Sequence, residues 1–301
     1  MFTKLRFEFV CQAEKAELKG KCKNNLIRST FGASLWKEDK PAYYAFFEGR
    51  LMEGFGGKKF AFFSPECFET KRVFKKGEIF SFQIVFVGLN TFWADIYPAF
   101  VKMLEQAGFS LLGVYAMSSL SLLDQPEESA FVGNGPKRVT TVPEFEIEEI
   151  LNYRIEQPIR ELEIQLVTPV RLERGGELIE NPSFADIVFA CSRRVDNLFS
   201  LFLGQVKVPK ELSGLPEASL AIQSAGVTEW QDWYRKKSKN KKEENPPAGG
   251  PMVMGGAIGT VKAEKNQPPY LNPYLPLLLA GQCLHIGKAI TMGNGLIRVK
   301  W

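Results

Sequence analysis

The feature of this sequence that most constrains its fold is an order of strands and helices that occurs twice. In each half an alternating apolar strand comes first, and a helix, a strand, a helix and a strand follow it. The first-half elements are expected at 5–11, 25–36, 78–86, 94–106 and 111–118. The second-half elements are expected at 159–167, 184–202, 253–262, 274–285 and 296–301. This order predicts an α+β fold of two tandem ferredoxin-like (βαββαβ, RRM-like) domains, residues 1–150 and 151–301.

The net positive charge of the chain lies in its C-terminal part. Residues 181–301 hold 15 of the 38 basic residues but only 9 of the 34 acidic ones. Glycines also cluster near the C-terminus, so the basic excess accompanies a glycine-rich loop. This combination favours a polyanion as the partner, and a lysine-rich solvated surface is the alternative.

Several functional classes are disfavoured by composition. The five cysteines show no paired Cys-x-x-Cys spacing, which argues against a zinc site and against a disulfide framework. The apolar run at 275–280 is too short to cross a bilayer, and the first residues lack the pattern of a signal peptide. We therefore expect a cytoplasmic protein without a metal, cofactor or membrane partner.

The only histidine of the chain stands just before the glycine-rich loop. His285 is followed by Gly287 and Lys288, and then by Gly293 and Gly295. An imidazole is the usual proton-transfer group near neutral pH, and glycines allow a backbone to approach a phosphate closely. His285 and Lys288 are thus the candidate catalytic residues, and the three glycines are candidate contacts to a phosphate-bearing ligand. The alternatives are a structural histidine at a helix end and glycines required by turns or packing.

A basic segment with aromatic residues at its start is the second candidate ligand-binding region. Aromatic rings beside positive charge suit base stacking together with phosphate contact, whereas a solvated lysine loop is the alternative. Arg193 and Arg194 interrupt an apolar helix stripe, and Arg28 lies in the first helix; these arginines are further candidates, with an exposed helix face or a domain interface as alternatives. The candidates in the basic segment are Trp233, Tyr234, Arg235, Lys236, Lys237 and Lys239.

Sequence motifs in chain order resemble those of a known family. The C-terminal signature consists of Pro276-Leu277-Leu278, His285-Ile286-Gly287-Lys288, Thr291 and Gly293-Asn294-Gly295. Further similar segments are 26–32, 76–88, 167–172, 192–196 and 230–259. Together they resemble the CRISPR-associated endoribonucleases that process pre-crRNA, which are members of the RAMP superfamily. The chain departs from the family pattern at Asn294, where an apolar residue is usual, and it lacks the first-half histidines of some relatives.

The resemblance implies a metal-independent endoribonuclease that cleaves CRISPR repeat RNA. A ribose 2′-OH would attack the adjacent phosphate and leave a 2′,3′-cyclic phosphate and a 5′-OH. His285 would transfer a proton, and Lys288 would stabilise the charge of the transition state. The implied partners are the repeat RNA and a CRISPR effector complex, with the chain as a monomer or homodimer. A non-catalytic RNA-binding subunit and a protein that binds a small phosphorylated ligand are the alternatives.

Overall fold

The computed structural model describes residues 2–18, 23–38, 40–48, 62–87, 98–99, 101–102, 104–116, 130–133, 146–202, 210–232, 234–235 and 252–301. The N-terminal strands are β1 (Phe2–Cys11), β2 (Lys15–Glu17), β3 (Phe62–Glu66), β4 (Val73–Lys75), β5 (Ile79–Val87), β6 (Phe109–Ala116) and β7 (Ala130–Gly133). The N-terminal helices are α1 (Lys23–Glu38), α2 (Lys40–Tyr43) and a π-helix over Tyr44–Glu48, and the described residues between 98 and 105 are helical.

The C-terminal half contains eight strands and five α-helices among its described residues. The helices are α3 (Ile147–Leu151), α4 (Phe184–Phe202), α5 (Lys210–Ser213), α6 (Leu215–Ser219) and α7 (Leu275–Leu284), with 3-10 turns at Asn272–Tyr274 and Ile290–Met292. The strands are β8 (Glu161–Val170), β9 (Leu172–Arg174), β10 (Glu177–Ile179), β11 (Gln223–Gln231), β12 (Tyr234–Arg235), β13 (Met252–Val253), β14 (Gly256–Glu264) and β15 (Ile297–Lys300).

The two main sheets confirm the predicted pair of ferredoxin-like folds. The N-terminal sheet has the order β3-β5-β1-β6-β7, and the C-terminal sheet has the order β11-β14-β8-β15. All neighbouring strands in both sheets are antiparallel. In each sheet the first strand of the repeat lies between the third and the fourth, and helices supply the connections. The division at residues 150 and 151 stays a prediction, although α3 packs with the C-terminal core.

Two strands of the repeat are not predicted by the sequence pattern, and both lie at a sheet edge. β3 contains Pro65, which has no N–H to donate and which weakens any strand signal. In β11 most side chains are exposed, and Val227 is 86% exposed, so the strand shows no apolar alternation. A strand pattern depends on one buried face, which β11 does not have.

Each half has an apolar core of its own. In the N-terminal core phenylalanines stack across neighbouring strands; the Phe7 and Phe82 ring centroids are 5.3 Å apart. In the C-terminal core every residue of α7 is buried, and α7 packs against α3 and α4. A helix that is apolar on all sides requires cover on all sides. This packing fixes the position of the C-terminal end of α7, and therefore the position of His285, which follows it.

The N-terminus of α4 is capped by its own side chains. The Asp186 N–H donates to the Ser183 hydroxyl oxygen over 3.2 Å, and the Ser183 N–H donates to the Asp186 carboxylate over 2.9 Å. This reciprocal pair is a capping box with Ser183 at the N-cap. Arg193 and Arg194 lie near the middle of α4.

Across the described residues, none of the helices combines the length and apolar character that crossing a lipid bilayer requires.

Candidate functional site

His285 lies in the interior, between the two halves of the chain. Its side chain is 0% exposed, and both ring nitrogens are engaged. Nδ1 lies 2.9 Å from the Ser64 hydroxyl and 3.1 Å from the Asn294 carbonyl, and Nε2 lies 2.9 Å from the Glu66 carboxylate. A group that transfers protons to RNA must contact RNA, and this imidazole is covered on every side. The geometry therefore does not support His285 as the base or acid, in contrast to the sequence-based expectation.

Glu66 is buried beside His285 and is paired with a second cation. Its Oε2 atom lies 2.7 Å from the Lys4 ammonium, and its side chain is 3% exposed. Burial raises the pKa of Glu66, but the Lys4 charge and the hydrogen bond from His285 outweigh burial and bring the pKa to about 2. Lys4 and Glu66 come from β1 and β3, so this cluster joins the N-terminal sheet to the end of α7.

Two of the three candidate glycines are buried and are required by packing. Gly295 has φ +83°, and a Cβ there would lie 1.9 Å from the Ile286 carbonyl oxygen. Gly293 has φ +84°, and a Cβ there would lie 2.2 Å from the Asn24 side-chain amide. Their close approach is to protein rather than to open solvent, so an RNA contact by these two glycines is not supported.

Arg194 stabilises the end of α7. Its Nε–H donates to the His285 carbonyl over 2.9 Å, and its second guanidinium nitrogen lies 3.4 Å from the Gly287 carbonyl. Burial lowers the pKa of Arg194 to about 10, which leaves the guanidinium charged at neutral pH. A cation at carbonyls left free by a helix end is a common capping solution. Arg194 is therefore occupied by protein contacts, and the predicted RNA contact is not supported.

The remaining C-terminal candidates line one open basic cavity. This cavity has a volume of about 180 Å³ and lies between α4, β9 and the loop that follows His285. Lys288 is 61% exposed there and forms an ion pair with Glu173, and its backbone N–H donates to the Arg171 carbonyl over 2.9 Å. Arg193 is exposed and makes neither an ion pair nor a hydrogen bond with any residue that the structure describes. The lining residues are Arg171, Leu172, Glu173, Ala190, Arg193, Arg194, Asn197, Gly287 and Lys288.

A second cavity adjoins the first and extends it along α4. It has a volume of about 480 Å³ and shares Glu173 and Arg193 with its neighbour. Arg174 forms an ion pair with Asp186 at its wall. The two cavities together, which we call the α4 cleft, place the cations Arg171, Arg174, Arg193 and Lys288 along one face of the C-terminal half.

The other sequence candidates lie elsewhere. The Arg28 guanidinium lies 5.0 Å from the Phe47 ring centroid, within the N-terminal half. Tyr234 and Arg235 form β12, which pairs with β13. The predicted contacts of Trp233, Lys236, Lys237 and Lys239 fall outside the described residues. RNA contact by these seven residues stays a prediction.

Four residues at the His285 cluster or the basic cavity are not predicted by the sequence. Lys4, Ser64 and Glu66 are in strands, where their spacing is that of ordinary polar residues facing out, and only the fold brings them to His285. Arg171 lies within a segment that resembles the family, but the segment does not indicate that its side chain reaches the cavity. Within the described part of the chain, no group of three His, Cys, Asp or Glu side chains is placed to hold a metal ion.

Comparison with protein families finds one match. Residues 164–297 match the family described as CRISPR-associated endoribonuclease Cas6. The matched segment includes β8, α4, α7 and the loop that carries Gly287 and Lys288. Comparison with curated proteins gives no match.

Solved Cas6 structures share the fold of this chain over a longer span. A Cas6 product complex has a TM-score of 0.58 at 14% identity, over 100% of this chain and 99% of that chain. Thermus thermophilus Cas6 has a TM-score of 0.57 at 12% identity, over 100% of this chain and 98% of that chain. A partial Cas6-RT-Cas1–Cas2 complex has a TM-score of 0.61 at 13% identity, over 99% of this chain but only 46% of that chain.

At these identities the structural similarity shows the fold alone, and the sequence match covers residues 164–297. The resemblance expected from the motifs is thereby confirmed: this chain is similar in sequence to CRISPR-associated endoribonuclease Cas6 over residues 164–297 and shares the fold of Cas6 proteins along almost its whole length.

Proposed function

We propose that the chain is an endoribonuclease that cleaves CRISPR repeat RNA within the pre-crRNA. The observation that carries the proposal is the position of the family match. Residues 164–297 include the strands, the helix and the loop that line the α4 cleft with Arg171, Arg193 and Lys288. A family of ribonucleases and a cluster of cations suited to phosphates thus coincide in one part of the fold.

The cleft suits a phosphodiester better than a neutral ligand. Lys288 and Arg193 line the same cavity, and Gly287, which has no side chain, lines it beside them. A guanidinium binds two phosphate oxygens at once, whereas an ammonium acts as a point charge. We assign Arg193 to positioning the phosphate and Lys288 to the charge that develops on it.

The reaction we propose is a transesterification without a metal ion. The 2′-oxygen of one ribose forms a bond to the adjacent phosphorus, and the bond between that phosphorus and the 5′-oxygen breaks. The 2′-OH loses a proton, the leaving 5′-oxygen gains one, and the products are a 2′,3′-cyclic phosphate and a 5′-OH. Lys288 stabilises the negative charge of the pentacoordinate transition state.

The burial of His285 favours one alternative, in which the chain holds repeat RNA without cleaving it. A protein of that kind requires the cations of the cleft but no proton-transfer group. Cleavage of RNA by the purified chain separates the two functions.

The test uses end-labelled repeat RNA from the source locus, incubated with the purified chain in EDTA. A second substrate carries a single 2′-deoxy nucleotide at the cut position. We expect one discrete cut, which the single 2′-deoxy substitution abolishes. Loss of one charge-stabilising donor typically costs about 100-fold in rate, so Lys288→Ala should cut about 100-fold more slowly. Lys76→Ala, which removes an exposed lysine of the N-terminal half, is the control. Tight binding without a cut would establish the RNA-holding alternative instead.

A further inference from the structure

A buried polar cluster joins the two halves of the chain, and it is separate from the α4 cleft. It consists of Lys4, Ser64, Glu66 and His285, which we call the interdomain clamp. We propose that His285 is held as an imidazolium and that this cation, bound to Glu66, positions the loop that carries Lys288. His285 is then a positioning residue whose charge is permanent at neutral pH. The effect on RNA cleavage rests on the proposed function, whereas the charge state does not.

The hydrogen bonds at Nδ1 require a proton on that atom. The Asn294 carbonyl oxygen, 3.1 Å away, can only accept. The Ser64 hydroxyl, 2.9 Å from Nδ1, donates its single proton to the Ile290 carbonyl over 2.7 Å. Its oxygen is therefore free to accept but has no second proton to donate. Both neighbours of Nδ1 are acceptors, so Nδ1 is the donor.

The contact at Nε2 requires a proton as well. Its partner is the Glu66 carboxylate, 2.9 Å away, and the other carboxylate oxygen is bound by the Lys4 ammonium. An ionised carboxylate only accepts hydrogen bonds. With a proton on each nitrogen, the ring is an imidazolium.

A neutral imidazole would lose contacts in either tautomer. With the proton on Nε2 alone, the Nδ1 lone pair would face the Asn294 carbonyl oxygen. The single proton of the Ser64 hydroxyl could then reach either Nδ1 or the Ile290 carbonyl, but not both. With the proton on Nδ1 alone, the Nε2 lone pair would face the Glu66 carboxylate. The imidazolium satisfies all of these contacts at once, which a fully buried site strongly favours.

The surrounding titratable groups are consistent with a cation at His285. Lys4 comes from β1, Glu66 from β3 and Arg194 from α4, where it donates to the His285 carbonyl. Burial raises the pKa of Cys283, at the end of α7, to about 12, so this thiol stays neutral. Glu66 is thus the one carboxylate that these elements bring to the cluster, and it lies between two side-chain cations.

The clamp is placed to fix the loop that follows α7. His285 has φ +58°, a conformation that few side chains adopt, and it turns the chain out of the helix. The loop returns to the same imidazole through the Ile290 carbonyl, bound by Ser64, and through the Asn294 carbonyl. Lys288 lies between His285 and the first of these attachment points, Ile290, at the wall of the α4 cleft. Loss of the clamp would therefore release the segment that presents Lys288.

The single histidine permits a direct test on the full chain. With histidine labelled by ¹⁵N, NMR reports only His285, and the two nitrogen shifts distinguish an imidazolium from either neutral tautomer. We expect both nitrogens to be protonated at neutral pH, because every partner of the ring accepts a hydrogen bond. A neutral ring at pH 7, in either tautomer, would overturn the proposal.

Glu66→Gln supplies the second arm of the test. The amide keeps the shape of the carboxylate but removes its charge, so the imidazolium should be lost and the neutral ring should appear. If the variant does not fold, as judged by circular dichroism, the spectrum of the unmodified chain decides alone. A spectrum that still shows an imidazolium in folded Glu66→Gln would contradict the part assigned to Glu66.

RNA cleavage tests the positioning role. We expect Glu66→Gln to lower kcat about tenfold or more with little change in KM, because misplacement of Lys288 affects charge stabilisation in the transition state. Glu66→Asp should recover part of the rate. Unchanged kcat in folded Glu66→Gln would refute positioning. An imidazolium in a chain that does not cut repeat RNA would refute the proposed function and leave the charge state of the clamp intact.

Discussion

The Nε2 atom of His285 lies 2.9 Å from a carboxylate oxygen of Glu66, although 219 positions separate the two residues in the sequence. Both side chains are buried: that of His285 is 0% exposed and that of Glu66 is 3% exposed. A charged pair at such depth is costly to break, since the partner that remains is left buried and uncompensated. The pair therefore links the folding of the two halves to the geometry of the loop.

The stability of the chain should fall in acid because Glu66 becomes protonated. Its pKa is about 2 in the folded chain and 4.5 ordinarily, so its contribution is complete above 4.5 and is lost as the pH falls toward 2. The shift corresponds to about 3 kcal/mol in the free energy of unfolding. Urea unfolding between about pH 5 and pH 2 measures it.

The control for this measurement is a carboxylate at the surface. Glu78 also has a lowered pKa, through hydrogen bonds from Lys71 and the Lys75 backbone, but its side chain is 36% exposed. Glu78→Gln should leave most of the acid sensitivity in place, whereas Glu66→Gln should reduce it and lower stability at neutral pH. If the free energy of unfolding depends on pH in the same way in both variants, Glu66 is not the group responsible for the acid sensitivity.

Two glycines with the same backbone conformation should differ sharply in their tolerance of alanine. Gly295 has φ +83°, and its Cβ would meet the Ile286 carbonyl oxygen at 1.9 Å. Gly77 has φ +84°, and nothing lies within 4 Å of its Cβ position. Gly77→Ala should cost about 1 kcal/mol, the strain of a left-handed residue. Gly295→Ala should cost well above that, because the backbone must also move. Similar unfolding midpoints in denaturant would mean that the loop relaxes without cost.

The sequence predicts those parts of the fold that have one buried face. α1, β1 and α4 show apolar periodicity, α7 is a continuous apolar run, and each lies where it is predicted. β3 and β11 do not, because Pro65 interrupts one edge strand and solvent covers both faces of the other. Apolar periodicity reflects the burial of one face. It therefore does not predict an edge strand that is held by backbone hydrogen bonds alone.

The sequence predicts the neighbourhood of the candidate site better than the roles of its residues. The motif around His285 and Lys288 indicates a loop at the end of an apolar helix, which the structure confirms. Whether an imidazole faces ligand or core depends on strands that are distant in the sequence, and Ser64 and Glu66 carry no local signal of that contact. The adjacent residues Arg193 and Arg194 differ for the same reason, since the helix register alone decides which one meets the loop.

Arg193 and Arg194 should respond in opposite ways to the same substitution. Arg194→Met removes donors to the His285 and Gly287 carbonyls, so stability should fall by about 2 kcal/mol. Arg193→Met should leave stability within about 0.5 kcal/mol, because the side chain is exposed. In RNA binding, Arg193→Met should weaken affinity and reduce the slope of log affinity against log salt by about 1. Arg193→Met with unchanged RNA affinity and salt slope would remove this arginine from the proposed interface.

Glu173 should lower the affinity for RNA, because its carboxylate competes with phosphate for the Lys288 ammonium. The two form an ion pair at the wall of the α4 cleft, and the Lys288 side chain is 61% exposed. An exposed pair of this kind contributes at most about 1 kcal/mol to folding, so Glu173→Gln should hardly change stability. The same substitution removes a negative charge from a phosphate site and frees the ammonium, so RNA affinity at low salt should rise severalfold. Glu161→Gln, at an exposed ion pair with Lys262 on β14, is the matched control and should leave affinity unchanged.

Fluorescence anisotropy with labelled repeat RNA across a salt series measures the affinity of both variants. A weaker complex for Glu173→Gln would mean that the Glu173 carboxylate holds Lys288 in its binding position.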